Sequence, residues 1–551
     1  MDQPKSSGPK ESLSLWDTIS LIVGIIVGVG IFRTPGAVFA TTDGPLQAFA
    51  VWALAGVAVL LGALCFAELA STYPRSGGEY VYLTNSYGRW AGFLFAWAQL
   101  LVIRPAGTIG IIAFAFCDFG AAATGVTWSS WFSAFIASSV IVLLTVVNIL
   151  GVKIGKTTQN VLTGLKVLGI LGILIAGFGF SADQSKHRTL VGRVTEVKPE
   201  GVVVVDELGN ESEVLLSSIT KTFVSGEKTN KLQPGWRVSV SFDDQDDAVA
   251  TEIRASEGST FSAWGLAMIF VLWTYSGWHE GAYVASEVKD KRTTITRALV
   301  FGTVTVMVLY LLINVACYVG LGFVRAGESE AIAADVLGLA LGAWGAKAMA
   351  ILVMISCLGA INGGIFTSSR IFTEMGEDHP LFGVLKHWHR TLGTPVVALV
   401  VQGAISVVFV LVMGLLFRGQ SGFNELLYCT SAVFWGVFLF VGLGLFRLRE
   451  ANSNLSRPFS VPLYPVVPII FCNVCAYMTY AAVTFKPHHS LVGLGLVLLG
   501  VPVYFLSNLY GKNKAGKVQV GSASPKLEQA TQTVETDPTA FADKSSVRRE
   551  S

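Results

Sequence analysis

Twelve apolar runs dominate this chain, at about 18–40, 46–72, 90–120, 130–150, 159–181, 262–285, 296–323, 342–372, 396–417, 423–447, 463–484 and 490–510. About 20 consecutive apolar residues cross the hydrocarbon of a bilayer as a helix, so each run is long enough to span one. With 52% hydrophobic residues, 14% charged residues and a mean hydropathy of +0.59, the 551 residues are too apolar for a soluble protein. The expected fold class is an all-α polytopic membrane protein of twelve transmembrane helices embedded in lipid. A net charge of +2 offers no electrostatic footprint for nucleic acid. The polar N-terminus leads straight into a full-length span, which is not the pattern of a cleavable signal peptide.

Short loops give the expected orientation, because Lys and Arg accumulate on the cytoplasmic side. One set of loops holds Arg75, Arg89, Lys153, Lys156, Lys289, Lys291, Arg292, Lys386, Arg390, Arg447, Arg449 and Arg457. The opposite set carries little beyond Arg325, Arg418 and Lys486. Both termini are therefore expected in the cytoplasm of a cell whose inner membrane holds the protein. The expected segments are a disordered N-terminus at 1–14, five spans at 15–182, a soluble insert at 183–258, five more spans at 259–450, two final spans at 451–511 and a disordered tail at 512–551.

The insert stands out by composition. Thr189-Leu-Val-Gly-Arg-Val-Thr-Glu-Val-Lys, Gly201-Val-Val-Val-Val-Asp, Glu213-Val-Leu-Leu and Gly235-Trp-Arg-Val-Ser-Val-Ser-Phe are β-branched runs separated by turn residues. They predict a small antiparallel barrel or sandwich, placed on the outer face by counting spans. Asp243, Asp244, Asp246 and Asp247 could hold Ca²⁺, but their spacing is not an EF-hand loop, and a solvated hairpin turn explains them as well. The seven cysteines show no metal-ligand spacing; Cys65, Cys117, Cys317 and Cys357 read as small buried hydrophobes, and Cys472 with Cys475 as helix packing one turn apart. No metal or cofactor is expected.

Two runs are interrupted at half depth. The first contains Ile25-Ile26-Val27-Gly28-Val29-Gly30-Ile31-Phe32, and each interior glycine costs a helix about 1 kcal/mol against Ala. The sixth contains Trp273-Thr-Tyr275-Ser276-Gly277-Trp278-His279-Glu280-Gly281. A charge such as that of Glu280 at a helix centre costs roughly 2.5–3.5 kcal/mol and needs a reason. Close packing through Gly24 and Gly28 is the alternative account of the first run alone. Two breaks five spans apart instead match a pair of inverted five-helix repeats, with the insert at their junction.

A break at that depth bares backbone groups that lipid cannot satisfy. The N–H groups at the start of a second half-helix favour an anion, and the C=O groups at the end of a first half favour a cation. A small zwitterion, an α-amino acid, satisfies both. Val29, Gly30 and Ile31, next to Gly28, would face its carboxylate; the carbonyls of Ile26, Trp273 and Ser276, beside Gly277, would face its ammonium.

Four stretches resemble the amino acid–polyamine–organocation superfamily and, within it, the L-type amino acid transporters. They are Gly24-Ile-Ile-Val-Gly-Val-Gly-Ile-Phe, Tyr73-Pro-Arg-Ser-Gly-Gly-Glu-Tyr, Tyr275-Ser-Gly-Trp with Ser286-Glu-Val-Lys-Asp, and Gly359-Ala-Ile-Asn-Gly-Gly-Ile-Phe-Thr-Ser-Ser-Arg; Ile103-Arg-Pro-Ala joins them. The resemblance implies a LeuT-like 5+5 repeat and sodium-independent exchange or proton-coupled uptake of amino acids by alternating access, with no enzymatic activity. It also implies roles. Lys166 would stand where sodium-coupled relatives bind a cation, contacting the first break and the eighth run, with Thr367 and Ser368 as candidates there. Trp273 would lid the substrate. Asn362 would bond exposed backbone or bridge helices. Glu287, Arg297, Arg75 and Glu79 form a candidate inner gate, and Arg104 is a family feature without an assigned role.

Departures qualify the match. Val29 replaces a frequent Ser or Ala, and Ser276 replaces a frequent Gly, which shrinks the side-chain pocket and favours small or neutral substrates. His279, where relatives carry Asn or Asp, and Glu280 could sense pH or hold a cationic side chain, so proton-coupled uptake of cationic amino acids or polyamines is an alternative. A sensor signalling through the β insert is another. No cysteine lies near Gly120 to Trp128 to tether an ancillary glycoprotein, and the sequence leaves the oligomeric state open.

Overall fold

The computed structural model describes residues 12–521 apart from 43, 182–188, 200, 207–208, 225–226, 229–231, 244–245, 257–259, 330, 417–421 and 486. Among the described residues ten helices are long and apolar enough to cross a membrane, matching runs two to five and seven to twelve. The first run is a pair of helices, Leu15–Ile26 and Gly30–Thr41, bent by 47°. The sixth is a 15-residue helix, Thr260–Thr274, followed after a three-residue turn by a 3-10 helix, Trp278–Glu287. The interruptions expected in the first and sixth runs are thus present beside ten long helices among the described residues. The interruptions fall where the glycines are.

These helices are apolar on nearly all sides. Those of runs four, five and nine present Leu143, Leu168 and Val408 to the outside, as lipid requires. The eighth-run helix, Trp344–Asp378, is buried over most of its length, between the third-run helix, Arg89–Thr124, and the fifth, Val152–Gly179. The seventh-run helix, Lys291–Leu321, packs on the second, Pro45–Thr72, and on the first half-helix. The third-run helix widens into π-helical turns at Gln99–Ile103 and Pro105–Gly110. Pro105 causes this: it has no N–H to donate, and its ring pushes the preceding turn away.

The insert is a closed β-barrel with its own core. Its strands are β1 (Thr189–Lys198), β2 (Gly201–Asp206), β3 (Glu211–Val224), β4 (Glu227–Lys228), β5 (Arg237–Asp243) and β6 (Asp246–Ser256). The order β2-β1-β5-β6-β3 closes on itself because β3 also pairs with β2. The expected antiparallel pairing holds except between β3 and β6, which run parallel. That one parallel pair is what lets the last strand close a five-stranded ring, the connectivity of an OB-fold. Alternation puts Val202 and Val204 of β2 inside with Val194, Val214, Val238, Val240 and Ile253. Asp243 and Asp246 pair across the β5–β6 hairpin. Asp244 and the carboxylates of Asp243, Asp246 and Asp247 lie outside the described residues.

Both termini differ from expectation where they are described. Ser12 and Leu13 donate their N–H groups to the carbonyl of Glu287, and Lys289 donates to Leu13, so residues expected to be disordered add a short bridge to the sixth-run segment. Ser14 and Asp17 then form a reciprocal cap that starts the first helix. The final helix continues to Gly521, past the expected boundary at 512, because no proline stops its i→i−4 ladder. Residues 1–11 and 522–551 lie outside the described residues.

Candidate functional site

The first half-helix ends at Ile26, and three residues, Val27, Gly28 and Val29, separate it from the second half, which starts at Gly30. Gly28 turns its N–H back to Ile26 O at 2.7 Å instead of to Gly24. The carbonyls of Gly24 and Val27 thus lose their normal partners. Lys166 supplies new ones: its ammonium donates to Gly24 O at 2.5 Å and Val27 O at 2.8 Å. Ser356 of the eighth-run helix adds its hydroxyl to Val27 O at 2.9 Å. The expected contact of Lys166 with the first break is present. The eighth-run partner is Ser356, not Thr367 or Ser368, which sit about three helical turns further along.

Thr367 donates to the carboxylate of Glu280 at 2.5 Å, and Ser368 to Gly364 O at 2.6 Å. Asn362 bridges helices: it donates to Gln159 Oε1 at 2.9 Å and accepts from Asn148 at 2.9 Å.

At the other side of the break, no backbone acceptor among the described residues takes the N–H of Val29, Gly30 or Ile31. These are the orphan donors of a helix start, and they make an anion site. Gly28 has room for a Cβ, which would make only ordinary contacts with Ile26 O at 3.7 Å and Ile25 O at 3.9 Å. Gly24, by contrast, lies hard against Thr163 and Gln159. So the close-packing reading of this glycine pair is right for Gly24 and fails for Gly28.

The second break faces the first. Tyr275, Ser276 and Gly277 form a turn in which Ser276 donates to Trp273 O at 2.9 Å, and Gly277 has a φ of +101°. That conformation suits glycine, and a Cβ there would also lie 2.7 Å from Ile25 Cγ2. Tyr310 of the seventh-run helix ties the two breaks, donating to Ile26 O at 2.8 Å and Thr274 O at 3.3 Å. Thr34 and Thr274 share a hydrogen bond at 2.8 Å just beyond. The carbonyls of Ile26 and Trp273, read from the sequence as ammonium partners, are thus engaged inside the protein in this conformation. Trp273, on the last turn before the break, packs on Ala106 and Ile111 of the third-run helix.

His279 and Glu280 point away from the first break. Glu280 forms a buried ion pair with Arg104 at 2.9 Å. His279 sits among Phe66, Phe434 and Phe438, 3.5 Å from Glu79. The inner gate is also wired differently from the expectation. Glu287 pairs in two-pronged fashion with Arg370, at 2.7 and 3.0 Å, rather than with Arg297. Arg75 pairs with Glu374 at 2.5 Å, rather than with Glu79. The eighth-run helix brings both Arg370 and Glu374 to this end, and it reaches where the neighbouring loops do not. Ser76 and Ser286 bond to each other nearby.

Sequence reasoning missed Ser356, Tyr310 and Arg370. Ser356 and Tyr310 are lone polar groups within apolar runs, and Arg370 is a cation inside a run long enough to span the bilayer; those are the signals that could have found them. A groove of about 550 Å³ beside Phe135, Ser138 and Leu411 includes none of the break residues.

A family model described as amino acid permease matches residues 13–499. The chain is 28% identical to the b(0,+)-type amino acid transporter 1 of Mus musculus over 92% of its length and 90% of that protein's. It is 27% identical to the cystine/glutamate transporter of Homo sapiens, covering 91% of this chain and 86% of the relative. With the serine/threonine exchanger SteT of Bacillus subtilis (strain 168), identity is 25% over 91% of this chain and 98% of the relative.

Proposed function

This chain belongs to the amino acid permease family and is a multi-pass membrane transporter of amino acids, and on that premise we propose that it exchanges small or neutral L-amino acids without sodium, by alternating access. The carrying observation is the untaken trio of N–H groups at Val29, Gly30 and Ile31, opposite the break at Ser276–Gly277. These donors hold the substrate carboxylate, and carbonyls of the two breaks receive its ammonium when the half-helices rearrange. Lys166 occupies the place where a sodium ion would otherwise neutralise the bared carbonyls of the first half-helix. Trp273, one residue before the second break, covers the bound substrate.

A neutral side chain fits better than a cationic one. The carboxylate of Glu280, three residues past Gly277, is already matched by Arg104 and Thr367. The names of the relatives, a serine/threonine exchanger among them, support exchange over uniport. The loop charges support termini in the cytoplasm and the barrel outside, in the inner membrane. Twelve spans as two inverted five-helix repeats plus two, and independence from a disulfide-linked glycoprotein, complete the reading.

Proteoliposomes test it. Uptake of labelled L-serine should need an unlabelled amino acid inside and be indifferent to replacing sodium by choline. Equal uptake into empty vesicles, or uptake that follows a sodium gradient, would overturn it. Binding without any flux would make the chain a sensor.

A further inference from the structure

Behind the second break lies a buried cluster that substrate binding does not use. The 3-10 segment Trp278–Glu287 carries His279, Glu280 and Tyr283 into it. Glu79 and Tyr82 enter from the helix Glu79–Tyr87, Arg104 from the π-helical stretch of the third run, and Thr367 from the eighth. All are buried. Among the described residues Arg104 is the one fixed cation of the cluster, against the two carboxylates of Glu79 and Glu280. It bonds Glu280 at 2.9 Å and Gln99 at 3.0 Å and lies over the Tyr283 ring. Glu79 receives only the Tyr283 hydroxyl, at 3.0 Å, on one oxygen; its other oxygen, the Tyr82 hydroxyl and His279 Nδ1 have no partner among the described residues.

The count is decisive. With both carboxylates ionised and His279 neutral, the cluster holds one uncompensated negative charge out of reach of water, which low-dielectric surroundings penalise heavily. One added proton on Glu79 or His279 makes it neutral. The two groups are 3.5 Å apart, close enough to share that proton. Among the described residues, the remaining ring contacts of His279 are with Phe66, Trp278, Tyr283, Phe434 and Phe438.

We propose that Glu79 and His279 together bind one proton while the 278–287 segment is docked, and that this proton sets how firmly the segment stays docked. Glu79 stands on a different helix from His279, so undocking separates them and admits water. In water a Glu and a His titrate near about 4.3 and 6.5. Above the latter the undocked pair holds no proton, while the docked pair keeps one. The docked form therefore binds more protons there, and raising the pH favours undocking. With the docked segment, which ends at the Glu287–Arg370 pair, taken as the closure of one end of the transport path, exchange should accelerate as pH rises from about 6.5 to about 9.

This inference rests on the exchange reading above, and the experiment separates them. Exchange of labelled L-serine is measured with the same pH inside and outside the vesicles, for the wild type, Glu79→Gln and Tyr283→Phe. The wild type should speed up several-fold across the window. Glu79→Gln, which neutralises the cluster without a proton, should be flat within about twofold. Tyr283→Phe, which removes the donor to ionised Glu79 in the docked form, should leave the onset in place and carry the rise on to higher pH than in the wild type. Absence of exchange at every pH in the wild type would sink the exchange reading. Vigorous wild-type exchange that ignores pH, or a Glu79→Gln profile like the wild type's, would overturn the proton site. If Glu79→Gln fails to fold, an unshifted Tyr283→Phe profile overturns it instead.

Discussion

The Lys166 ammonium lies 2.8 Å from the carbonyl oxygen of Val27, on a chain segment 139 residues away. It does for the first half-helix what the next turn of helix would have done, and it complements the negative end of that half-helix's dipole. The broken conformation therefore depends on a side chain from another helix.

Lys166→Ala should leave the protein in the membrane but cripple it. Gly24 O loses its donor and Val27 O keeps only the Ser356 hydroxyl, at about 1–3 kcal/mol for each bond lost, so initial exchange rates should fall on the order of a hundredfold. Ser356→Ala removes one neutral donor and should cost only a few-fold. Near-normal rates in Lys166→Ala would take this residue out of the mechanism.

Tyr310→Phe tests whether the two breaks are held as one unit. Its hydroxyl serves Ile26 and Thr274 together, a contribution of about 1–3 kcal/mol. Substrate affinity, read by ligand-induced thermal shift, should weaken about tenfold while expression is kept. Unchanged affinity would mean that each break is positioned by its own helix.

The two glycines of the first helix should respond oppositely to alanine. Gly24→Ala forces a methyl into Thr163 and Gln159 and should destabilise the fold by about 1–3 kcal/mol. Gly28→Ala adds a methyl that makes only ordinary contacts, should fold normally, and should instead impair substrate binding. Thermal unfolding in detergent paired with a competition assay reads both. Equal destabilisation would show that no space for a substrate exists at Gly28.

Glu287 and Arg370 make a buried two-pronged pair beside the N-terminal bridge at Leu13. Breaking it in Arg370→Gln should cost about 3–5 kcal/mol, because a buried carboxylate is left alone. Adding Glu287→Gln should recover a large part of that loss. A double variant no more stable than the single would show that the pair matters through packing alone.

Replacing residues 184–257 by a short Gly/Ser linker should leave substrate affinity within a few-fold. The barrel closes on its own valine core, with no helix residue in that core among the described residues. Collapse of affinity in a well-folded deletion would assign the barrel a part in shaping the entrance.

Much of this was legible in the residues. Paired glycines at 28 and 30 and again at 277 and 281 located both breaks, because a helix interior tolerates glycine poorly and lipid tolerates bare backbone not at all. Lys166 was legible as a cation with no place in hydrocarbon. What remained hidden was partner choice. Thr367 and Ser356 lie on one buried helix, and the sequence does not say which of them reaches the break, since that depends on the tilt of the helix. Arg75, Glu79, Glu287 and Arg297 were all charges near one end. The long eighth-run helix, through Arg370 and Glu374, took two of them as partners. The barrel's strands were readable by alternation, but its parallel β3–β6 pair was not, because pairing direction is set by closure of the ring and leaves no trace in any one strand.

The way the barrel closes has a practical corollary. Its first residue, Thr189, sits opposite Ser241, and its last, Ser256, opposite Arg237, so chain entry and exit flank the same strand, β5. Four residues along that strand and two strand spacings across give a gap on the order of 17 Å. The insert is a cartridge: a fluorescent or affinity module with a similar gap between its ends can take its place, and the barrel can be moved into the loop of another carrier without rerouting a helix.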